Sequence, residues 1–495
     1  MTDSPRAPFR PSRRALVILI LLALATRLLW VLWLHPPTAF VYSDMGGYVK
    51  RAVDLAEQGF VPGTRHLAWQ AYGTHYLLGA ILKIIGTQYL YAAGLFWGLM
   101  GAAAVPITYL LACRVCTRPW MPLVVGIAAL CWYPNLSTSG FFLSEPPALF
   151  FGSWATLRLV ILLQDGKGAW HAGIVSALAF TVRPQLALFF VLTVGLWLLV
   201  RKRPEVRARL PHVAIVGACL AAIFAFSMWR FHEHTGEWGG IAEAANANNT
   251  ASRCHNPRTQ VFANKRLFDR SHTIDDGRLI GIIPFQTRFK KVSHDSFLGM
   301  RPALGTKEKE FTVTVERRDG KTEVVPVKVG NGGWSIKFVG YIGDREIHRA
   351  LQKLCVRETG VVEQLRYGLV NLTGLWIYNA QWPDSARHHK LFGRYAVASI
   401  WVFNLVILLP SLLGLGLALA RARQNPGLAI CALQLVGLFC VSAYFFGSIR
   451  LRTPYDVYAI ILAVEGYGWI VALVRRKLGR APVEATATSS TAASE

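Results

Sequence analysis

Two acidic residues have the type and setting needed for acid–base chemistry. Asp44 lies in the segment YSDMGGY (42–48), and Glu145 lies in the segment SEPP (144–147). Each acid also has a structural explanation, because Asp commonly caps a helix and an acid before Pro is typical of a helix start. If both acids face one cavity, they can supply a general base and a second carboxylate. We therefore predict that Asp44 and Glu145 are catalytic.

Arginines form the second candidate group. Arg183 lies in TVRPQ (181–185), and Arg450 and Arg452 lie in RLRTP (450–454). An arginine at the end of a membrane helix can simply extend to the lipid head groups. It can also bind a phosphate through planar, bidentate contacts. We predict that these three arginines bind the phosphate group of a substrate that donates a sugar. A carboxylate would then take a proton from an acceptor hydroxyl, while the arginines stabilise charge on the leaving phosphate.

Long apolar segments separate these residues. Of the 495 residues, 53% are hydrophobic and 16% are charged, whereas soluble domains are about 25% charged. A run of about 20 apolar residues can cross a bilayer as a helix. The sequence thus predicts an all-α, multi-pass membrane protein with about ten spans. The predicted spans are 15–34, 90–112, 120–133, 141–163, 169–182, 184–200, 212–230, 397–420, 428–446 and 458–474.

The distribution of basic residues predicts the topology. The formal net charge is +25, but most Lys and Arg of the short loops fall on one side if the N-terminus is cytoplasmic. This pattern follows the positive-inside rule and argues against nucleic-acid binding. The same topology places both candidate acids and all three arginines on the outer face. We therefore predict a multi-pass protein of the cell inner membrane with a periplasmic active site.

The apolar segments also divide the chain into regions. A β insertion is predicted at about 300–345, because alternating β-branched residues flank Asp319-Gly320, which is a hairpin signal. This insertion gives the large outer loop a small α+β domain. The predicted regions are a cytoplasmic segment (1–14), an N-terminal transmembrane catalytic module (15–230) with its first outer loop at 35–86, the large outer loop (231–395), the C-terminal helices (396–480) and a disordered cytoplasmic tail (481–495).

In order and spacing, these motifs resemble the GT-C superfamily of membrane glycosyltransferases. The resemblance covers most of the chain and is strongest to bacterial proteins similar to protein O-mannosyltransferases and aminoarabinose transferases. Asp44 matches the acid of the family's first outer loop, which is its usual catalytic base. Ser144-Glu145-Pro146 resembles the second-loop acidic motif, and Arg183-Pro184 resembles the Arg-Pro turn. The segment 450–454 resembles the Arg-x-Arg-x-Pro motif before the last common span.

The resemblance also implies substrate-binding residues. Tyr48 follows the first acid, and His75 and Lys83 lie in a segment similar to the family's His-containing stretch before the second span. Asn248 and His255 loosely match a loop beside the acceptor. Two features differ from the family, since its Pro-Pro pair is replaced by Gln-Ala-Tyr at 70–72 and the β insertion is not a standard part of the fold.

A GT-C function implies a polyprenyl-phosphate sugar donor and a lipid, glycan or protein acceptor. No cofactor is then required, and the sequence does not indicate a metal, although two acids could hold Mg²⁺ or Mn²⁺. Two other classes stay open. An O-antigen ligase or polymerase would place its key residues in a large late loop, and a transporter would show paired repeats and broken helices.

Two cysteines lie in the predicted outer loop. Cys254 and Cys355 are alone there, and an oxidising compartment permits disulfides. A bridge between them is therefore a hypothesis, which a comparison of reduced and non-reduced peptide masses would test.

Overall fold

The computed structural model describes residues 8–41, 43–200, 203–243, 309–330, 335–338, 344–376, 390–445, 447 and 449–478. Within these residues, seven helices are long and apolar enough to cross a membrane. This confirms the predicted class of a mostly helical, multi-pass membrane protein. The seven candidate spans are Arg13–Leu34, Thr87–Val115, Glu145–Asp165, Pro204–Thr235, Arg394–Ala420, Pro426–Tyr444 and Ile449–Lys477.

The other three predicted spans are also helical, but they are shorter than a typical span. They are Met121–Cys131, Ala169–Val182 and Leu186–Val200, with 11, 14 and 15 residues. A helix crossing the hydrocarbon core needs about 17–25 residues. Length therefore supports seven of the ten predicted spans and leaves the crossing of these three a prediction.

The helices are numbered in chain order. A π-helical turn, Trp30–Leu34, extends the first of them, and a second π-helical turn, Phe403–Ile407, joins two helices near the C-terminal end. Their bounds are α1 (Arg13–Leu29), α2 (Ser43–Gln58), α3 (Gly73–Ile85), α4 (Leu90–Val115), α5 (Met121–Cys131), α6 (Tyr133–Thr138), α7 (Glu145–Asp165), α8 (Ala169–Val182), α9 (Leu186–Val200), α10 (Arg203–Thr235), α11 (Arg345–Trp376), α12 (Lys390–Val402), α13 (Leu408–Ala420), α14 (Pro426–Tyr444), α15 (Ile449–Arg452) and α16 (Asp456–Lys477).

A small antiparallel sheet lies where the sequence predicts a hairpin. Its strands are β1 (Lys309–Glu316), β2 (Thr322–Gly330) and β3 (Ser335–Phe338), in the order β1-β2-β3. Gly320 in the first turn has φ +80°, a conformation that a side chain would disfavour. Buried valines of β1 and β2 pack against Ile347 and Leu351 of α11. The sheet therefore stacks on the first turns of this long helix.

Glycines allow the last candidate span to pack closely against α13. A Cβ at Gly414 would meet the carbonyl oxygen of Leu462, and a Cβ at Gly466 would meet that of Pro410. Small residues allow membrane helices to approach at backbone distance. This contact fixes α16, and thus also the short segment before it, which carries Arg450 and Arg452.

Helix α2 brings the first outer loop against the bundle. Met45 and Tyr48 on its buried face pack against Phe141 and Leu143, which immediately precede α7. Ala52, one turn further, packs with the apolar residues of α3 and α4. Helix α2 begins at Ser43, one residue before Asp44. Its packing places Asp44 next to the start of α7.

Candidate functional site

Four of the predicted site residues meet in one charged cluster. Arg450 donates from Nη1 to Asp44 Oδ2 at 2.7 Å and from Nε to Glu145 Oε1 at 2.6 Å. Arg183 donates from Nη2 to the same Glu145 oxygen at 2.6 Å. Two carboxylates and two guanidiniums, from segments as far apart as residues 44 and 450, thus form a continuous network. We call these four residues the charged cluster.

Helix ends position the acids of the charged cluster. Asp44 lies in the first turn of α2, and Glu145 is the first residue of α7, followed by Pro146 and Pro147. Pro fits the first turn of a helix, where its missing N–H would have no intrahelical partner. The positive end of each helix dipole also favours a carboxylate at that place. The local sequence therefore explains why both acids stand at helix starts.

Chain turns position the two arginines. Arg183 ends α8 in an extended conformation with φ −139° and ψ 97°, so the chain leaves the helix and its guanidinium can reach α7. Arg450 lies in α15, a helix of four residues at the start of the last candidate span. These turns bring both guanidiniums to the end of the bundle where α2 packs.

The two acids differ in accessibility. The Glu145 side chain is 1% exposed and accepts from both arginines, whereas the Asp44 side chain is 37% exposed. Only an accessible carboxylate can reach the hydroxyl group of an incoming molecule, so the geometry suits Asp44 as a proton acceptor. Glu145 is placed to hold Arg183 and Arg450 in position. In a buried pair of this kind, each partner offsets part of the hydration that the other loses.

Tyr48 extends the site by one helical turn. It lies on the same face of α2 as Asp44 and is 6% exposed. Burial raises the pKa of its phenol, and the Asp44 charge adds to this rise, so the hydroxyl stays protonated at neutral pH. Tyr48 can therefore donate a hydrogen bond beside Asp44, but it is not set up to accept a proton.

Arg51 is a site neighbour that the sequence analysis did not single out. Its guanidinium carbon lies 5.3 Å from the ring centroid of Tyr48, and it donates a hydrogen bond to Gln70. No described carboxylate forms an ion pair with it. Burial lowers the pKa of Arg51, opposed by neighbours that include Asp44. The sequence could have identified Arg51 as a neighbour of the site, because residues 44, 48 and 51 share one helical face.

Two predicted substrate-binding residues on α3 lie outside the charged cluster. His75 is fully buried, with its ring centroid 6.3 Å from that of Tyr48. Neither ring nitrogen lies in hydrogen-bonding geometry with a described group. His75 thus forms part of the wall behind Tyr48. Lys83 is exposed near the end of α3, and no described contact joins it to the charged cluster.

Arg452 points away from the charged cluster, contrary to its predicted role in phosphate binding. It donates from Nε to Asp456 Oδ1 at 2.7 Å and from Nη1 to the Leu375 carbonyl oxygen at 2.8 Å. Its guanidinium carbon lies 3.4 Å from the ring centroid of Phe403. Residues two apart on a helical turn face different directions. Arg450 therefore reaches the charged cluster while Arg452 joins α15 to α11 and α16.

This placement predicts that Arg452 acts on stability. We expect Arg452→Ala to lower the free energy of unfolding by about 3–5 kcal/mol, because it leaves Asp456 buried without its partner. Thermal unfolding in detergent would measure the loss. The KM for any phosphate-linked donor should stay unchanged in the folded fraction. A rise of that KM without a loss of stability would instead show that Arg452 binds the donor.

Other predicted residues cannot be placed. Asn248, His255 and Cys254 lie outside the described residues. Cys355 lies on α11, but its side chain is not described. The acceptor-side residues and the disulfide therefore stay predictions.

No metal-binding group is evident within the described ranges. There, no three His, Cys, Asp or Glu side chains come close enough together to hold an ion. In the charged cluster, the Arg450 guanidinium bridges Asp44 and Glu145. A metal held by both acids would have to displace that guanidinium.

Comparison with known proteins gives only distant similarity. No family model matches the sequence, and no curated protein matches it. Among solved structures, ArnT from Cupriavidus metallidurans bound to undecaprenyl phosphate has 13% identity and a TM-score of 0.33 over 93% of this chain and 79% of that chain. Its apo form gives 13% identity and a TM-score of 0.31 over 91% and 76%. The fold and the charged cluster themselves define a multi-pass membrane protein with a site at the helix ends.

Proposed function

We propose that this chain is a membrane glycosyltransferase that moves a sugar from a polyprenyl-phosphate donor to a lipid, glycan or protein acceptor. The proposal rests on one observation. An accessible carboxylate, Asp44, is held 2.7 Å from Arg450 in a cluster where a second arginine and a buried acid complete the network. Such a cluster offers a base and phosphate-binding cations at the ends of apolar helices, where a lipid-linked donor would present its head group.

In the proposed reaction, Asp44 takes the proton of the acceptor hydroxyl as that oxygen attacks C1 of the sugar. The bond between C1 and the phosphate oxygen breaks, and its electron pair leaves on the polyprenyl phosphate. Arg450 and Arg183 stabilise the negative charge that develops there. When the donor phosphate binds, it replaces part of the contact between Arg450 and Asp44, which leaves the carboxylate available to the acceptor. The proton then passes from Asp44 to water.

We place this site on the outer face of the inner membrane. Under the predicted topology, most basic residues of the short loops lie at the opposite ends of the helices, as the positive-inside rule requires of the cytoplasmic side. The polyprenyl chain would stay in the bilayer while its phosphate reaches the charged cluster at the membrane surface.

Cell-envelope analysis would test the proposal in two steps. Mass spectrometry of envelope glycolipids, glycans and proteins, with and without this chain, should show one sugar-modified species that depends on it. The purified chain should then release free polyprenyl phosphate from the matching polyprenyl-phosphate sugar only when the acceptor is present. An unchanged envelope, together with no release from any polyprenyl-phosphate sugar, would overturn the proposal.

The charged cluster also predicts how the reaction responds to chelation. Because the Arg450 guanidinium stands between the two acids, we propose that no metal is needed, and transfer should keep its rate in excess EDTA. Parallel assays with added Mg²⁺ and Mn²⁺ provide the control. A loss of activity in EDTA that either ion restores would show that a metal replaces the guanidinium contact during turnover.

A further inference from the structure

A groove lies between α4 and α7, toward the end of the bundle opposite to the charged cluster. It has a volume of about 450 Å³, and its walls include Ile107, Leu110, Trp154 and Leu157. The basic side chains of Arg114 and Arg158 also line it. Helix α7 begins at Glu145 in the charged cluster and ends at Asp165, so the basic end of the groove belongs to the opposite face of the membrane.

The groove has the dimensions of a lipid tail. Its lining on α7 runs from Phe150 to Ile161, which at 1.5 Å per residue is a length of about 16 Å. At the N-terminal end of the chain, the Phe9 amide donates to the Cys113 carbonyl oxygen at 2.9 Å, and Phe9 itself lines the groove. The result is an apolar trough along two candidate spans, covered at its basic end.

The groove carries an unbalanced positive charge. Arg114 pairs with Asp165 at 2.7 Å. Arg158 forms no ion pair with a described carboxylate, although it lies within a candidate span, seven residues before the end of α7. Its Nη2 reaches His171 Nδ1 at 3.4 Å, and its buried Nε has no hydrogen-bond partner among the described residues. The guanidinium thus extends to an exposed position beside His171, near the end of α7, where an arginine without an ion pair can bind an anionic lipid head group.

We infer that this groove binds one anionic phospholipid of the cytoplasmic leaflet. The acyl chain lies along Ile107, Leu110 and Leu157, and the phosphate lies on Arg158. Anionic lipids are concentrated in this leaflet, and basic pockets between membrane helices on this side bind their head groups. A free phosphate would use the arginine but leave the apolar trough empty, whereas a phospholipid uses both. This inference rests on the membrane orientation proposed above but not on the proposed glycosyl transfer.

Lipid titration followed by native mass spectrometry would test this site. The delipidated full chain in detergent would be titrated with phosphatidylglycerol and, separately, with phosphatidylcholine of the same acyl chains. We expect one phosphatidylglycerol to bind more tightly than phosphatidylcholine. Arg158→Gln should weaken phosphatidylglycerol binding about fivefold, as expected for one basic side chain at an anionic lipid head group, and should leave phosphatidylcholine binding unchanged.

Two further variants complete the test. Arg423→Gln removes an exposed arginine of a loop outside the groove, so its phosphatidylglycerol affinity should equal that of the wild type. Leu110→Trp fills the trough without touching Arg158 and should weaken binding of the first phosphatidylglycerol. Equal affinity of the wild type for both lipids would overturn the inference. Tight phosphatidylglycerol binding by Leu110→Trp would also do so, even if Arg158→Gln did not fold.

Discussion

Asp44→Asn should slow sugar transfer by about 100- to 10,000-fold, which is the range that a general base contributes. Asparagine keeps the size of the side chain but cannot take the acceptor proton. Glu145 would still hold both Arg183 and Arg450 through its own contacts, so the protein should stay folded and inserted. The measurement is the initial rate of polyprenyl phosphate release by purified protein, with thermal unfolding recorded on the same sample.

Asp54→Asn provides the matched control. Asp54 lies on the same helix and pairs with His66 at 2.8 Å, outside the charged cluster. This variant makes the same chemical change on α2, and its transfer rate should stay close to that of the wild type. Activity near the wild-type level in Asp44→Asn would show that Asp44 is not the general base. Equal losses of transfer rate in both variants would show that the loss comes from a change in helix α2 and not from the missing base.

Arg450→Ala should have the second largest effect. We expect kcat/KM for the donor to fall by about 100- to 1,000-fold, because removing one preorganised donor of an anion-stabilising site typically costs that much. The loss should appear more in the use of the donor than in the KM for the acceptor, since Arg450 is proposed to hold the phosphate. Steady-state kinetics with each substrate varied in turn would separate the two.

Arg450→Lys separates binding geometry from charge. Lysine keeps the positive charge but cannot donate to Asp44 and Glu145 from two nitrogens in a fixed plane. Arg450→Lys should keep the stability of the wild type better than it keeps kcat/KM for the donor. Equal losses for donor and acceptor in both variants would instead indicate that Arg450 only holds the two acids together.

The fold was largely accessible from the sequence because its signals are local. Continuous apolar runs predicted helices at all seven of the long candidate spans. The hairpin turn at Asp319-Gly320 was equally local. What the sequence could not decide was whether the short apolar helices cross the membrane, since that depends on how neighbouring helices tilt and pack.

Only part of the charged cluster could be predicted from the sequence, and that part depended on membrane topology. Membrane topology placed Asp44, Glu145, Arg183 and Arg450 on one side, and the packing of α2 and α15 brings them into contact. Topology alone could not exclude Arg452, because its direction is set by a buried ion pair with Asp456, four residues further on, and by packing on the Phe403 ring. The direction of the Arg452 side chain thus depends on one local partner and one distant ring, and membrane topology reveals neither.

A cryo-EM structure of the chain with bound undecaprenyl phosphate would test the central claim most directly. We predict that the phosphate lies within about 3 Å of the Arg450 guanidinium and next to the Asp44 carboxylate, at the membrane face opposite to the N-terminus. The polyprenyl chain should extend from there into the bilayer. A phosphate bound elsewhere, with Asp44 and Arg450 separated or on the N-terminal side of the membrane, would contradict the account.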